Sequence, residues 1–243
     1  MKLLLLVFSC SLVVFTSCNI GGDRIRGNGV IKTETRDEKD FQNMEINGAI
    51  KVFVKQDSAY SVKVEADENL QRHIEVYMHK NTLVIRPENG YNLKPSQSVK
   101  LYVSGPSFRH FDVSGASSIE SEGRITSADE LYIDLSGASE AEMDVKSPVV
   151  GVEVSGASSA ALSGETKDLK VDGDGASKAK CFDLMAENAH IELSGASHAD
   201  VFASVKLEAH VSGASHVKYK GNAEITQEVS GAASVKKAET LSP

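Results

Sequence analysis

Apolar and polar residues alternate with a period of two along most of this chain, which is the pattern of half-buried β-strands. In the second half, each alternating segment runs into the tetrapeptide Ser-Gly-Ala-Ser or a variant of it, and a second alternating segment follows. The seven copies begin 18 to 22 residues apart, at Ser114, Ser136, Ser155, Asp174, Ser194, Ser212 and Ser230. Each copy therefore predicts a strand, a tight corner, a second strand and a variable connection.

Aligning the copies places apolar residues in columns. The column before the corner contains Val113, Leu135, Val154, Gly173, Leu193, Val211 and Val229, and the first column after it contains Ile119, Ala141, Ala160, Ala179, Ala199, Val217 and Val235. One unit cannot bury such a face alone, but stacked units build a continuous core. We therefore predict an all-β fold with a single-stranded parallel β-helix, or solenoid, over residues 111–237. We expect a right-handed helix, because parallel crossover connections strongly prefer that hand.

The repeated tetrapeptide has a mechanical explanation. Its glycines suit a corner where φ is positive or where backbones approach closely. These turn glycines are Gly115, Gly137, Gly156, Gly175, Gly195, Gly213 and Gly231. The serines can stack in hydroxyl ladders or bond the turn backbone. The motif is not the Gly-x-Ser-x-Gly nucleophile elbow, and seven copies favour a structural role because an enzyme needs one nucleophile.

Residues 28–110 form an N-terminal β region that precedes the repeats. Strands are predicted at 30–35, 44–54, 60–66, 82–86 and 98–103. Residues 70–79 are compatible either with a short helical turn or with a strand. We expect the strands to continue into the solenoid and to close its N-terminal end, because open sheet edges recruit other chains. Residues 238–243 are expected to form a tail.

The first residues are typical of an export signal. A positive start at Lys2 and an apolar run to Phe15 predict a signal peptide over 1–17, since the run is too short to span a bilayer permanently. Phe15-Thr16-Ser17-Cys18 resembles the lipobox of bacterial lipoproteins, which implies lipid attachment at Cys18 and a tether over 18–27. The alternative is an ordinary signal peptide cut near Ser17.

Several segments resemble the head GIN domain family, described as putative auto-transporter adhesins and common in Bacteroidetes-type bacteria. The resemblance runs over roughly residues 30–240 and rests on short motifs in a fixed order. These are Phe41–Ala49, Val52–Val54, Val62–Ala66, Leu83–Ile85, Val99–Val103, Gly105-Pro106 and the serine-glycine repeats. It implies a β-solenoid-like fold and an envelope location. It supplies no catalytic residues.

Composition narrows the choice of partners. Removing residues 1–17 removes Lys2 and changes the net charge from −8 to −9, and an acidic domain is a poor partner for nucleic acid. Of the three cysteines, Cys10 leaves with the signal peptide and Cys18 carries lipid, so Cys181 stands alone. This count predicts neither a disulfide framework nor a cysteine metal site. We expect no cofactor.

One column is a candidate site. Its carboxylates are Asp112, Asp134, Glu153, Asp172, Glu192 and Glu228, with His210 between the last two. Stacked on one outer face, they could bind calcium or a cationic partner. Calcium solenoids, however, use loops dense in glycine and aspartate, so we favour a solvated face that discourages aggregation. His198 and His216 are expected to stack as neighbours, but no compact metal-ligand spacing surrounds them.

Three functions remain in competition. The first is a non-enzymatic lipoprotein of the cell envelope, placed in the outer membrane through Cys18, which acts as an adhesin or as a binding or scaffold module for a glycan or protein ligand. The second is a polysaccharide-processing β-helix enzyme, although the connections are short for a substrate groove. The third is an envelope protein that assembles with itself end to end.

Overall fold

The computed structural model describes residues 23–238, which contain nineteen strands and one 3-10 turn, Gln71–His73. The strands are β1 Asp23–Arg26, β2 Ile31–Arg36, β3 Asn43–Ile46, β4 Ile50–Gln56, β5 Ser61–Asp67, β6 Ile74–His79, β7 Thr82–Pro87, β8 Tyr91–Lys94, β9 Val99–Gly105, β10 His110–Val113, β11 Ser118–Thr126, β12 Glu130–Leu135, β13 Glu140–Val154, β14 Ser159–Gly173, β15 Lys178–Leu193, β16 His198–Val211, β17 His216–Lys220, β18 Glu224–Val229 and β19 Ser234–Lys237. The predicted signal peptide, Cys18 and residues 239–243 lie outside the described residues. Across the described part, no helix has the length and hydrophobicity that a membrane crossing requires.

Two stacks of parallel strands form a solenoid of about six turns. Face A contains the strands that lead into the corners, in the order β7, β3, β10, β12, the second parts of β13 to β16, and β18. Face B contains the strands that leave the corners, in the order β9, β4, β11, the first parts of β13 to β16, β17 and β19. The register joins equivalent positions, since Val113 pairs with Leu135 and Leu135 with Val154. The predicted all-β parallel solenoid is confirmed.

The corners bring successive backbones into close contact. All seven predicted turn glycines have φ between +68° and +78°. A Cβ added at any of them would lie 2.5–2.7 Å from the carbonyl oxygen of the corner glycine one turn back. That oxygen accepts a hydrogen bond, 2.6–2.8 Å long, from the N–H of the alanine that follows the glycine. The backbone ladder thus continues around the corner, and a side chain at the glycine would break it.

The corner serines use their hydroxyls in two ways. The second serines are buried, and they are Ser117, Ser139, Ser158, Ser177, Ser197 and Ser215. Ser139 Oγ donates to Val113 O at 2.9 Å and lies 3.3 Å from Ser158 Oγ, while Ser177 Oγ donates to Ser197 Oγ at 3.2 Å. A first serine also donates to a backbone carbonyl of the preceding turn, as Ser155 Oγ does to Leu135 O at 3.3 Å. The motif therefore satisfies its own buried polar groups.

The stack of corners begins before the first Ser-Gly-Ala-Ser copy. Asn47-Gly48-Ala49 forms a corner with φ of +118° at Gly48, and Ala116 N–H donates to the Gly48 carbonyl at 2.6 Å. Strands β3 and β4 accordingly pair in parallel with β10 and β11. The N-terminal region thus continues into the solenoid, as predicted.

The segments that join face B to face A were predicted to be variable connections, and within β13 to β16 they are strands in the structure. Between the two faces, β13 to β16 run without interruption from one corner to the next. Pairing continues through this stretch, for example between Val145 and Gly164 and between Thr166 and Ala186. Val145 and Leu184 are fully buried there. The expected variable connection is therefore a third, narrow side of the core.

The N-terminal end departs from parallel pairing. Strand β5 is antiparallel to both β2 and β9, and β6 is antiparallel to β7. The ambiguous segment 70–79 contains both alternatives, because the 3-10 turn is followed directly by β6. Leu70 and Ile74, on either side of that turn, are buried. Part of the expected tether, Asp23–Arg26, forms β1 and pairs with β8.

We expect Gly156→Ala to lower the free energy of unfolding by about 2 kcal/mol or more. Its positive φ alone costs an L-residue about 1–2 kcal/mol, and the new Cβ would also push against the Gly137 carbonyl oxygen, 2.7 Å away. Chemical denaturation followed by circular dichroism measures the loss.

Gly123→Ala is the matched control for that substitution. Gly123 has φ of +94°, and a Cβ there would meet nothing within 4 Å. The control should lose only the backbone cost of about 1 kcal/mol. Equal losses in the two variants would show that contact between corners does not constrain this fold.

Candidate functional site

The predicted acidic column lies on the outer surface of face A. The register pairs Asp112 with Asp134, Asp134 with Glu153, Glu153 with Asp172 and Asp172 with Glu192. The column then continues through His210 to Glu228. Neighbouring strands lie about 4.8 Å apart, so every carboxylate has another acidic group or an imidazole beside it.

One member of this column was not predicted from the sequence. Glu45 pairs with Asp112 in the register of β3 and β10. The signal was present, since Glu45 stands two residues before Asn47 as Asp112 stands two before Ser114. It was overlooked because Asn47-Gly48-Ala49 had not been recognised as a corner.

Burial, together with the proximity of like charges, raises the pKa values of three carboxylates in the column. Partial burial, followed by the charge of Glu45, raises the pKa of Asp112 above its usual value. Burial is also the main cause of the raised pKa of Glu153, with the charges of Asp134 and Asp172 next. The pKa of Asp172 is raised by burial and then by Glu192. Face A therefore holds negative charge at a cost in stability, which a cationic partner or a proton would relieve.

Imidazoles balance part of this charge. His110 Nε2 lies 2.7 Å from Asp134 Oδ2, and this hydrogen bond raises the pKa of His110. His190 Nε2 lies 3.0 Å from Glu192 Oε1. In residues 23–238, no group of three or more His, Cys, Asp or Glu side chains has an arrangement that could hold a metal ion. His190 Nδ1 also lies 3.9 Å from Glu208 Oε2, so both histidines act as partners of carboxylates and not as parts of a metal site.

A recess of about 240 Å³ opens on face A beside the column. Gly151 occupies a position where the neighbouring units have side chains, and a Cβ there would lie 2.4 Å from Cδ1 of Tyr132. The tyrosine ring therefore packs over this glycine. Lys170 and His190 line the recess on the following strands. The recess combines an aromatic ring, a cation and the column carboxylates.

Sequence reasoning did not identify the recess. The sequence did contain an indication of this recess. Gly151 stands in the outward column that also contains Tyr132, Lys170 and His190, and it is the member of that group without a side chain. A second recess of about 410 Å³ adjoins it and shares Asp172 and Glu192. Serine hydroxyls of three successive corners also line it, from Ser194, Ser212 and Ser230. The two recesses, the one beside Tyr132 and the one beside these serines, are together called the face A groove.

A different recess lies along the third side of the solenoid. It measures about 500 Å³ and is lined in part by Pro148, Met185 and Phe202. The Met185 residue is 44% exposed. It lies where the sequence predicted variable connections, and no repeated column marks it. Unlike the face A groove, it has no residue of the acidic column in its lining.

Face B carries the opposite charge towards its C-terminal end. Its outward residues there include Lys178, Lys180, Lys218 and Lys236. His198 and His216 are register neighbours, as the sequence predicted. Their rings bond elsewhere, His198 to Asp200 at 2.9 Å and His216 to Ser234 at 3.0 Å.

Cys181 is an inward, fully buried thiol. Burial raises its pKa to about 12, so the thiolate needed for nucleophilic chemistry is not populated near neutral pH. Cys181 therefore belongs to the hydrophobic core.

Comparison with known proteins identifies the family. The family model described as "Putative auto-transporter adhesin, head GIN domain" matches residues 40–223. The chain belongs to the head GIN domain family. A protein of this family is expected at the cell envelope or surface. No curated protein matches the chain significantly.

Solved structures share the fold. A crystal structure of a putative adhesin from Bacteroides fragilis NCTC 9343 has a TM-score of 0.82 at 18% identity, covering 88% of this chain and 100% of that one. A putative lipid binding protein from Parabacteroides distasonis ATCC 8503 has a TM-score of 0.74 at 20% identity, covering 89% and 100%. A putative adhesin from Parabacteroides merdae ATCC 43184 has a TM-score of 0.68 at 17% identity, covering 90% and 100%. At these identities the likeness shows the fold alone.

Glu153→Gln should stabilise the head GIN protein at neutral pH by about 0.5 kcal/mol, the scale of a cross-strand charge pair. The folded state raises the pKa of Glu153, so ionising this group as pH rises costs stability. The advantage of the variant should therefore shrink as pH falls through that raised pKa and vanish below the ordinary pKa of a glutamate. Thermal melts between pH 3 and pH 8 measure the difference.

Glu187→Gln provides the control, because this exposed carboxylate lies outside the column. It should change stability little at any pH. A destabilised Glu153→Gln variant at neutral pH would contradict the account of mutual repulsion on face A.

Proposed function

We propose that this head GIN protein is a non-enzymatic cell-envelope lipoprotein, anchored through lipid on Cys18, that binds a polar partner in the face A groove. The observation that carries the proposal is the groove itself. It places the Tyr132 ring, the Lys170 ammonium group and the carboxylates of Glu153 and Asp172 around one recess. Binding sites commonly combine an apolar surface with a few convergent polar groups in this way.

The chemistry of the groove favours a partner with hydroxyl or amino groups. Carboxylates accept hydrogen bonds from such groups, and serine hydroxyls along the adjoining recess both donate and accept them. Burial, and after it the repulsion from neighbouring carboxylates, raises the pKa values of Glu153 and Asp172, and an amino group on a glycan or on a protein lysine would relieve that repulsion. Strongly anionic glycans should bind poorly.

The regular stack of solenoid turns favours binding of a partner over its chemical conversion. Every turn presents its outward side chains at the same strand spacing, so an extended partner can contact several turns with little rearrangement. The adhesin description of the family agrees with this use of the surface. Release of products from any polysaccharide, abolished by Asp172→Ala, would instead support the enzymatic alternative.

The anchor and location can be tested on intact cells. Wild-type protein should be cleaved by external proteinase, while Cys18→Ala should be released or mislocalised. Protection of the wild type until the outer membrane is broken would exclude partners outside the cell and direct the search to the periplasm. Unchanged membrane retention of Cys18→Ala would contradict lipid anchoring at this cysteine.

Binding can be tested with purified protein on arrays of neutral, amino-bearing and acidic glycans and on immobilised matrix proteins. Tyr132→Ala and Asp172→Lys should each weaken the strongest interaction at least tenfold, or by about 1.4 kcal/mol. Lys180→Glu, on face B, serves as the control and should bind normally. Loss in the control alone, or equal binding by all variants, would reject the face A groove.

A further inference from the structure

The C-terminal end of the solenoid presents an open strand edge. Among the described residues, β18 pairs with β16 and β19 pairs with β17, and neither strand has a neighbour on its other side. The inward apolar residues of this last turn are exposed, with Ile225 at 38% and Val229 at 44%. Leu207 and Val211, their register partners one turn back, are at 0% and 2%.

The N-terminal end of the stack is different. Both edge strands at this end, β2 and β6, present charged residues in ion pairs. On β2, Arg36 Nη1 lies 2.9 Å from Glu34 Oε2 and Lys32 contacts Glu68, and on β6, Glu75 Oε2 lies 2.8 Å from Arg86 Nε. Charged side chains on an edge discourage the addition of another strand. Leu70 and Ile74 are buried at this end. A second copy is therefore expected to join through its own C-terminal edge to the C-terminal edge of the first. Because the same edge of both copies is used, this contact closes a two-fold dimer and does not start a filament.

Charge selects between the two ways in which such a dimer could form. The outward residues of β18 include Glu224 and Glu228, whereas β19 has Lys236 in its outward column. Pairing β18 with β18 would set glutamates against glutamates and Lys236 against Lys236. Pairing β18 with β19 of the other copy sets glutamate against lysine at both seams, and opposite charges stabilise cross-strand pairs.

We propose that two copies join end to end, with β18 of each copy antiparallel to β19 of the other. The two-fold axis runs along the strands, so the chains at both seams are antiparallel. Glu228 then lies opposite or diagonal to Lys236 of the second copy, and Ile225, Val229 and Val235 of both copies share one interior. The open hydrogen-bonding groups of both edge strands become paired.

The dimer has a consequence that rests on the proposed function. Strand β1, the first described segment after Cys18, pairs with β8 at the opposite end of the stack. With lipid on Cys18, the paired edges lie away from the anchored end. Dimers would then join copies on facing surfaces, and adhesion between like cells would follow.

Sedimentation equilibrium of the purified Cys18→Ala protein over a wide concentration range tests the pairing without requiring any external ligand. The parent protein should reach a dimer. Glu228→Lys and Lys236→Glu should each weaken dimerisation about tenfold, because two-fold symmetry changes two charge contacts at once. The double variant, Glu228→Lys with Lys236→Glu, should restore the parent dimer.

Lys180→Glu is the control, since Lys180 stands three turns back in the same outward column and β15 is already paired on both sides. It should dimerise as the parent does, and thermal melts of all variants establish that they fold. A parent protein that stays monomeric at the highest concentration would overturn the proposal, as would a double variant no better than its single changes. Glu228 also lines the second recess of the face A groove, but the Tyr132 recess contains no residue of β18 or β19. Neither result therefore decides whether a partner binds at the Tyr132 recess.

Discussion

The fold depends on one backbone contact, the hydrogen bond that each corner alanine donates to the carbonyl of the corner glycine one turn back. The contact requires that each glycine have positive φ and no side chain, because a Cβ would lie within 2.7 Å of that carbonyl oxygen. It fixes the register of face A before the corner and of face B after it. That register determines which outward side chains are neighbours, both in the acidic column and in the recess beside it.

Much of this arrangement could be predicted from the sequence, because period-two alternation and a repeated corner determine which side chains point outward. Gly48 escaped notice because Asn47 replaces serine and a long antiparallel excursion separates this corner from Gly115. The third side was missed because Ser147-Pro148 and its counterparts interrupt the alternation while the strands continue. The Tyr132 recess depends on a contact with Gly151 across strands, and periodicity gives the direction of a side chain, not what it covers.

The two faces of the solenoid share one backbone arrangement but differ in the charge of their outward side chains. Face A concentrates carboxylates, three of which have raised pKa values through burial and mutual repulsion, whereas the C-terminal part of face B carries lysines. A rigid array with a mixed aromatic and polar groove is suited to binding an extended partner. Membership of the head GIN domain family supports this use. The core thiol Cys181, with a pKa of about 12, takes no part in it.

Native-state hydrogen exchange at the corner alanines tests the central claim most directly. The residues are Ala116, Ala138, Ala157, Ala176, Ala196, Ala214 and Ala232. Ordinary exposed turns exchange quickly, because local opening there costs little free energy. If the corner ladder holds the solenoid together, the amides from Ala138 to Ala214 should be protected as strongly as those of the adjoining strands. Exchange at the rate of unstructured loops would contradict the account.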